Sequence, residues 1–437
     1  MSGLNLELLP LIIMVVFGFS FMFSGMYLGA AMGLFGFLGL AYVRGWDHAF
    51  GELMTVPYTM FSNYDLTVIP LFILMGQICF YAGMSADLFG TTYKWLGHMR
   101  GGLAMAAVGA CAGFAAICGS SVATAVTMGL VALPEMRRYK YDPALSTGSL
   151  AAGGTIGILI PPSLSFIIYG IMTGQSIGEL FIAGIIPGIL QAILFMIAIF
   201  IVCSRNPALG PAGPRTGLKE KILSFKDTWI VILLFVCIIG SLYMGICTPT
   251  EAAAIGSFVA FVFAVAKRRL TRQTMWLSFL DTVKSTSMLM IIFVGAIIMS
   301  HFLAVTRIPT TLADSVVALE VNRYVVLTLI LIVYIILGCL MDPGSMLLLT
   351  IPTFYPVIMA LHFDPIWFGV LVTIMCEIGC ITPPVGLNVF VIRGIAGDVP
   401  MYTIFRGIIP FLIADILLVL IVILVPKLSL FLPSLMR

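Results

Sequence analysis

Ala115-Ala116-Ile117-Cys118-Gly119-Ser120-Ser121-Val122-Ala123-Thr124 is the stretch on which the fold turns. It breaks an apolar run, residues 101–136, with small and hydroxyl-bearing side chains in its middle. Lys94 and Arg100 flank that run on one side, and Arg137, Arg138 and Lys140 on the other. Basic flanks favour the cytoplasmic face of a membrane. Both ends are therefore expected on one face, so the run enters and leaves as a re-entrant helical hairpin with its tip at 118–124.

Such a hairpin needs a bilayer around it, and the composition supplies the case. The 437 residues are 61% hydrophobic and only 9% charged, against about 25% charged in a soluble domain. Runs of about 18 or more nearly uncharged residues recur, long enough to cross the hydrocarbon core. Helix is the expected spanning state, because lipid offers no partner to a bare N–H or C=O. The alternating pattern of a membrane barrel strand is absent. The chain reads as an all-α polytopic membrane protein solvated by membrane lipid. Its net charge of +3 and the lack of basic clusters interleaved with aromatics give no footing for nucleic acid. The cysteines fall mostly inside apolar runs without CxxC spacing and read as small buried hydrophobes. The four histidines (48, 98, 301, 362) show no metal spacing. Glu7 replaces a basic n-region and the apolar stretch Leu8 to Val43 is too long for a cleavable signal, so two spans are expected there.

Three patterns recur roughly 220 residues apart in the same order. Ser24-Gly25-Met26-Tyr27-Leu28-Gly29 is echoed by Ser241-Leu242-Tyr243-Met244-Gly245. Gly119-Ser120-Ser121 is echoed by Pro343-Gly344-Ser345, and Ile160-Pro161-Pro162-Ser163 by Thr382-Pro383-Pro384-Val385-Gly386-Leu387-Asn388. The chain therefore divides into a first repeat, residues 1–204, a basic cytoplasmic linker, 205–227, and a second repeat, 228–437. The first repeat holds the hairpin at 101–136 and a broken helix at 144–172. The second holds a hairpin at 324–360, flanked by Glu320/Arg323 and His362/Asp364, and a broken helix at 365–392. Single spans are expected at 66–83, 178–203, 228–246, 248–266, 286–304 and 407–425, with loops at 44–65 and from Lys267 to Lys284. Placing Lys and Arg inside makes the two halves run in opposite directions, the inverted-repeat plan of secondary transporters.

Glycine and proline within spans free backbone groups, and such breaks survive where they line a polar cavity. Two tips (118–124 and 341–345) and two breaks (153–163 and 379–388) are expected to meet near the midplane. Hydroxyls of Ser120, Ser121 and Thr124, with glycine letting carbonyls turn inward, suit sodium. The helix that follows presents free N–H groups to a substrate carboxylate. A small-residue packing patch is the competing reading. Asp342 is a sodium-ligand candidate or a helix cap. Ser163 and Asn388, at the two breaks, are candidate substrate contacts. Arg307 either holds a carboxylate bidentately, or snorkels to the outer headgroups or pairs with Asp314. Glu251 either caps a Pro-marked helix start or acts chemically, and Glu377 is open between structure and function. No GxxxxGK[ST] run occurs, so ATP is not the direct energy source and ion coupling is expected.

Ile69-Pro70-Leu71-Phe72-Ile73-Leu74-Met75-Gly76, Gly119-Ser120-Ser121-Val122-Ala123-Thr124-Ala125 and Gly153-Gly154-Thr155-Ile156-Gly157-Ile158-Leu159-Ile160-Pro161-Pro162-Ser163 resemble the large membrane (M) subunit, DctM-like, of tripartite ATP-independent periplasmic (TRAP) transporters. So do Thr248-Pro249-Thr250-Glu251-Ala252-Ala253-Ala254 and Thr382-Pro383-Pro384-Val385-Gly386-Leu387-Asn388. The pattern also resembles the wider ion-transporter superfamily. The resemblance implies a multi-pass protein of the bacterial inner membrane, without enzymatic activity or cofactor, that takes up an organic carboxylate with sodium as coupling ion. It implies a periplasmic substrate-binding protein, a separate small four-helix membrane subunit and an elevator motion of hairpins and broken helices. Carried across, one sodium would lie at Ser120, Ser121 and Gly157, another at Asp342 and Thr382. Cys118, where the family often has Ser, is not assigned as a ligand. A stand-alone sodium/dicarboxylate symporter is the alternative; a channel or a membrane enzyme fits the hairpins and the sparse polar clusters less well.

Overall fold

The computed structural model describes residues 26–318 and 321–436. The first of the two spans expected in 8–43, the Ser24-Gly25 part of the repeat signature, Glu7 and Glu320 lie outside them. The described residues are helical with no strand. Among the described residues, seven helices are long and apolar enough to cross a membrane.

The first helices are α1 (Leu28–Arg44), α2 (Trp46–Phe61), α3 (Val68–Tyr81) and α4 (Met84–Leu96). The hairpin follows as α5 (Gly102–Cys118) and α6 (Ser121–Arg138). The broken helix is α7 (Pro143–Thr155), a 3-10 turn (Ile156–Ile158) and α8 (Leu164–Thr173); α9 (Ile177–Arg205) then spans. Next come α10 (Leu218–Tyr243), α11 (Pro249–Ala266), α12 (Arg272–Thr306) and α13 (Ile308–Ala318). The second hairpin is α14 (Arg323–Gly338) and α15 (Pro343–Ala360), and the second broken helix is α16 (Pro365–Ile381) and α17 (Leu387–Ala396). α18 (Met401–Leu424) and the short α19 (Lys427–Ser434) complete the order.

Local chemistry explains the breaks. Gly119 ends α5 in the left-handed region (φ 64°), which glycine enters without a Cβ penalty. Ser120 then caps α6 by accepting from the Ala123 N–H. Asp342, Asp364 and Ser163 cap α15, α16 and α8 in the same way.

Three expectations are corrected. The presumed loop 44–65 is mostly helix, α2, whose Trp46, Phe50, Leu53, Met54, Tyr58 and Phe61 are exposed. Its acids (Asp47, Glu52) share the helix with this apolar face, so charge alone marked it as a loop. α12 starts at Arg272, so the basic loop after α11 is only 267–271 and Lys284 lies on the helix. α10 starts at Leu218, inside the presumed linker. The rest of that linker packs against the first hairpin. Gly101 N–H donates to Gly210 O at 2.9 Å, Gly213 N–H to Gly97 O at 2.8 Å and the Tyr141 hydroxyl to Pro211 O at 3.0 Å, fastening it to the base of the first hairpin.

α1 and α12 meet through a glycine seam. A Cβ on Gly29 or Gly36 would stand 2.6 Å from the backbone of Ile292 or Met299. Small residues at this spacing let two helix backbones touch, the usual device for packing within lipid.

Candidate functional site

Both hairpin tips open onto one cavity of about 520 Å³. Cys118, Gly119, Ser120, Ser121, Val122 and Ala123 form one side, and Asp342, Pro343 and Gly344 another. Ile158, Leu164 and Ser165 come from the first broken helix and Leu387 from the second. α3 adds Ile73, Gly76 and Gln77, and α12 adds Ser285, Met288, Leu289 and Ile292.

The first tip and first break interlock. The Leu164 N–H donates to Gly119 O at 3.3 Å. A Cβ on Gly119 would stand 2.5 Å from Pro162 O, and one on Gly157 would stand 2.7 Å from both Ser120 O and Thr124 Oγ1. Only glycine allows either approach. The Thr124 hydroxyl donates to Ser120 O at 2.8 Å, and the Ser163 hydroxyl donates to Ile158 O. Asn388 reaches in from α17, donating to Ser121 Oγ at 2.7 Å and Ala151 O at 3.2 Å, while its own Oδ1 is buried without a partner. The N–H groups of Ser121 and Val122 meet no protein acceptor among the described residues, so this helix end offers donors and its positive dipole end to an anion.

The second pair is built differently. Both carboxylate oxygens of Asp342 face Ser345, taking its N–H at 3.0 Å and its hydroxyl at 2.5 Å. The helix-cap reading of Asp342 is therefore realised, and its side chain still lines the cavity. The Thr382 hydroxyl donates to Ile378 O of its own helix at 2.6 Å. No hydrogen bond joins the second tip to the second break among the described residues.

Of the residues singled out in the sequence, Ser120, Ser121 and Asp342 line the cavity. Thr124, Gly157, Ser163 and Asn388 sit immediately behind the first tip. Thr382 lies at the end of α16. Arg307 is not brought to the site. It is exposed, closes α12 with φ 55° and stands 15 residues, about 22 Å along the helix, beyond the last α12 residue on the cavity. The apolar segment before it is a helix that continues past the cavity, which sequence spacing did not reveal. It forms no ion pair with Asp314 among the described residues. Glu251 closes a capping box with Thr248, whose N–H it accepts at 2.8 Å, so it is a cap. Gln77, Ser165 and Ser285 were missed. Gln77, the only amide side chain in the apolar helix α3, was the legible signal among them.

Two interrupted hairpins and two broken helices around one internal cavity, in a body of lipid-length apolar helices, define a polytopic membrane transporter. The fold agrees with solved transporters: it is similar to the YdaH transporter of Alcanivorax borkumensis (14% identity, TM-score 0.64, covering 88% of this chain and 90% of that one). The chain belongs to the DctM component family of tripartite ATP-independent periplasmic transporters, whose family model matches residues 8–428. It is 39% identical over 374 residues to the C4-dicarboxylate TRAP transporter large permease protein DctM of Pseudomonas aeruginosa, covering 85% of this chain and 87% of that protein. It is 33% identical over 375 residues to the sialic acid TRAP transporter large permease protein SiaM of Vibrio cholerae, covering 86% and 87%.

Proposed function

We propose that this chain is the substrate-translocating subunit of a TRAP transporter, carrying an organic carboxylate inward across the bacterial inner membrane with sodium as the coupling ion. The meeting of the two hairpin tips at one cavity carries this reading. Family membership supports a small membrane subunit and a periplasmic binding protein as partners. Relatives at similar identity are named for C4-dicarboxylates and for sialic acid, which share a carboxylate and little else.

The first sodium is held by Ser120, Ser121 and Gly157. The second is held at Asp342 and Thr382. The carboxylate takes the free N–H groups of Ser121 and Val122 and nearby hydroxyls; no Lys or Arg lines the cavity among the described residues. Such a site reads a carboxylate by helix-end donors rather than by a guanidinium. The recurrent order of hairpin, broken helix and final span supports two inverted repeats, 1–204 and 228–437. The hairpins and broken helices would then travel as one block past α1, α3, α11 and α12.

The test is reconstitution in liposomes with the small subunit and binding protein, and uptake of radiolabelled succinate, sialic acid and keto acids with and without an inward sodium gradient. Uptake that needs both sodium and the binding protein supports the proposal. Uptake without the binding protein moves the chain to a stand-alone symporter. Uptake indifferent to sodium removes the coupling ion.

A further inference from the structure

Gln191, Glu377 and Asp415 come from three helices, α9, α16 and α18, and none has any exposed surface. The Gln191 amide nitrogen donates to Glu377 Oε2 at 3.0 Å and to Asp415 Oδ1 at 2.9 Å. Both of its hydrogens are thereby used. Three oxygens remain buried without a partner: Gln191 Oε1, Glu377 Oε1 and Asp415 Oδ2. No Lys, Arg or His pairs with either acid among the described residues. Glu179, Arg205, Arg323, Arg393 and Lys427, on these helices or those packed on them, lie in terminal turns. Arg406 is nine residues from Asp415, about 14 Å along α18. The buried thiols of Cys376 and Cys380 are the titratable neighbours of Glu377 on its own helix.

Two carboxylates facing one neutral amide, with the Ile158 backbone N–H the further donor beside Glu377, do not both stay ionised in a dry interior; the cost of two uncompensated charges far exceeds those hydrogen bonds. A positive charge must be present. The amide turns its N–H hydrogens, not its oxygen, toward both acids, and those hydrogens repel a metal cation placed between them. A proton meets no such obstacle. It removes one charge and makes one orphaned oxygen a donor. We propose that Gln191, Glu377 and Asp415 form a proton-binding site in which the two carboxyls hold a proton and the amide fixes their geometry. The site lines no part of the tip cavity, and the inference does not rest on the sodium or carboxylate proposal.

Infrared spectra of the purified chain in lipid nanodiscs at neutral pH test it without any transport. Glu377 and Asp415 are the only fully buried carboxyl side chains among the described residues. A protonated-carboxyl C=O band is expected in the wild type, reduced or shifted in Glu377→Gln and in Asp415→Asn, and lost in the double variant. If one single variant fails to fold, the other reads the same band. Absence of the band in the wild type at neutral pH overturns the proposal. So does a band unmoved by both substitutions, or one that sodium addition abolishes, which would mark a metal occupant.

Discussion

The first tip and break are joined by a hydrogen bond as well as by close glycine contacts, whereas the second hairpin and break touch where Gly338 and Gly379 pass backbone to backbone, with no hydrogen bond between tip and break among the described residues. In the first unit every residue from Ile156 to Ser163 is buried. Backbone-to-backbone contact at Gly119 and Gly157 and the Asn388 bond to Ser121 tie four segments together. In the second, Asp342 bonds within α15, Thr382 within α16, and Pro383, Pro384 and Val385 are exposed. A cross-linked site keeps its shape without a ligand. On the proposed function, a cation at Asp342 would add the link between tip and break that the second pair lacks among the described residues.

Four substitutions probe that contrast. Gly157→Ala is expected to act most strongly. Its methyl would meet Ser120 O and Thr124 Oγ1 at 2.7 Å, and overpacking of this kind costs about 1–3 kcal/mol. Sodium-driven uptake in liposomes should fall roughly fivefold to a hundredfold or more, the factor those energies give. Unchanged sodium activation would break the claim that the first unit is a built ion site. Asp342→Asn should come next. Asparagine caps a helix about as well as aspartate, so thermal stability in detergent should hold. The sodium concentration for half-maximal uptake should rise roughly three- to tenfold, the loss of about 1 kcal/mol of charge-assisted bonding. A lowered melting point with normal sodium dependence would make Asp342 a cap and nothing more. Ser121→Ala leaves Asn388 Nδ2 with only Ala151 O, a loss of about 1 kcal/mol, seen as a modest drop in melting temperature and a smaller change in sodium affinity. Arg307→Ala is the outside control. As an exposed side chain away from the cavity it should leave the KM for carboxylate within about twofold. A large rise in KM would mean that Arg307 reaches the substrate in another conformation.

The hairpins and broken helices were legible because glycine, serine and proline inside apolar runs have few other uses in lipid. The helix breaks at 119–120 and 339–342 overlap the tips read at 118–124 and 341–345. What stayed hidden depends on three-dimensional meeting. α2 carries its apolar side chains on a helix face, so charge counting took it for a loop. Arg307 was a candidate because it ends an apolar segment, and only the length of α12 shows how far that end lies from the cavity. Gln191 and Asp415 went unremarked as single polar residues in long spans. Asp415 was the detectable one, since an acid well inside α18 is costly in hydrocarbon. That it shares an amide with Glu377 could be read only from three helices packed together.

α12 also serves as a ruler of depth. Its 35 residues extend about 52 Å, against roughly 30 Å of hydrocarbon. Arg272, Asp281 and Lys284 all precede residue 285, and the apolar remainder, 285–306, is about 33 Å long, enough to cross once. The α12 residues on the cavity, Ser285 to Ile292, fall within about the first 10 Å of that remainder. Along α12 the tip cavity therefore lies nearer the Lys284 end of the apolar remainder than its middle. If the basic loop 267–271 is cytoplasmic and the proposed elevator motion holds, such a placement would put the site near the cytoplasmic end of that motion.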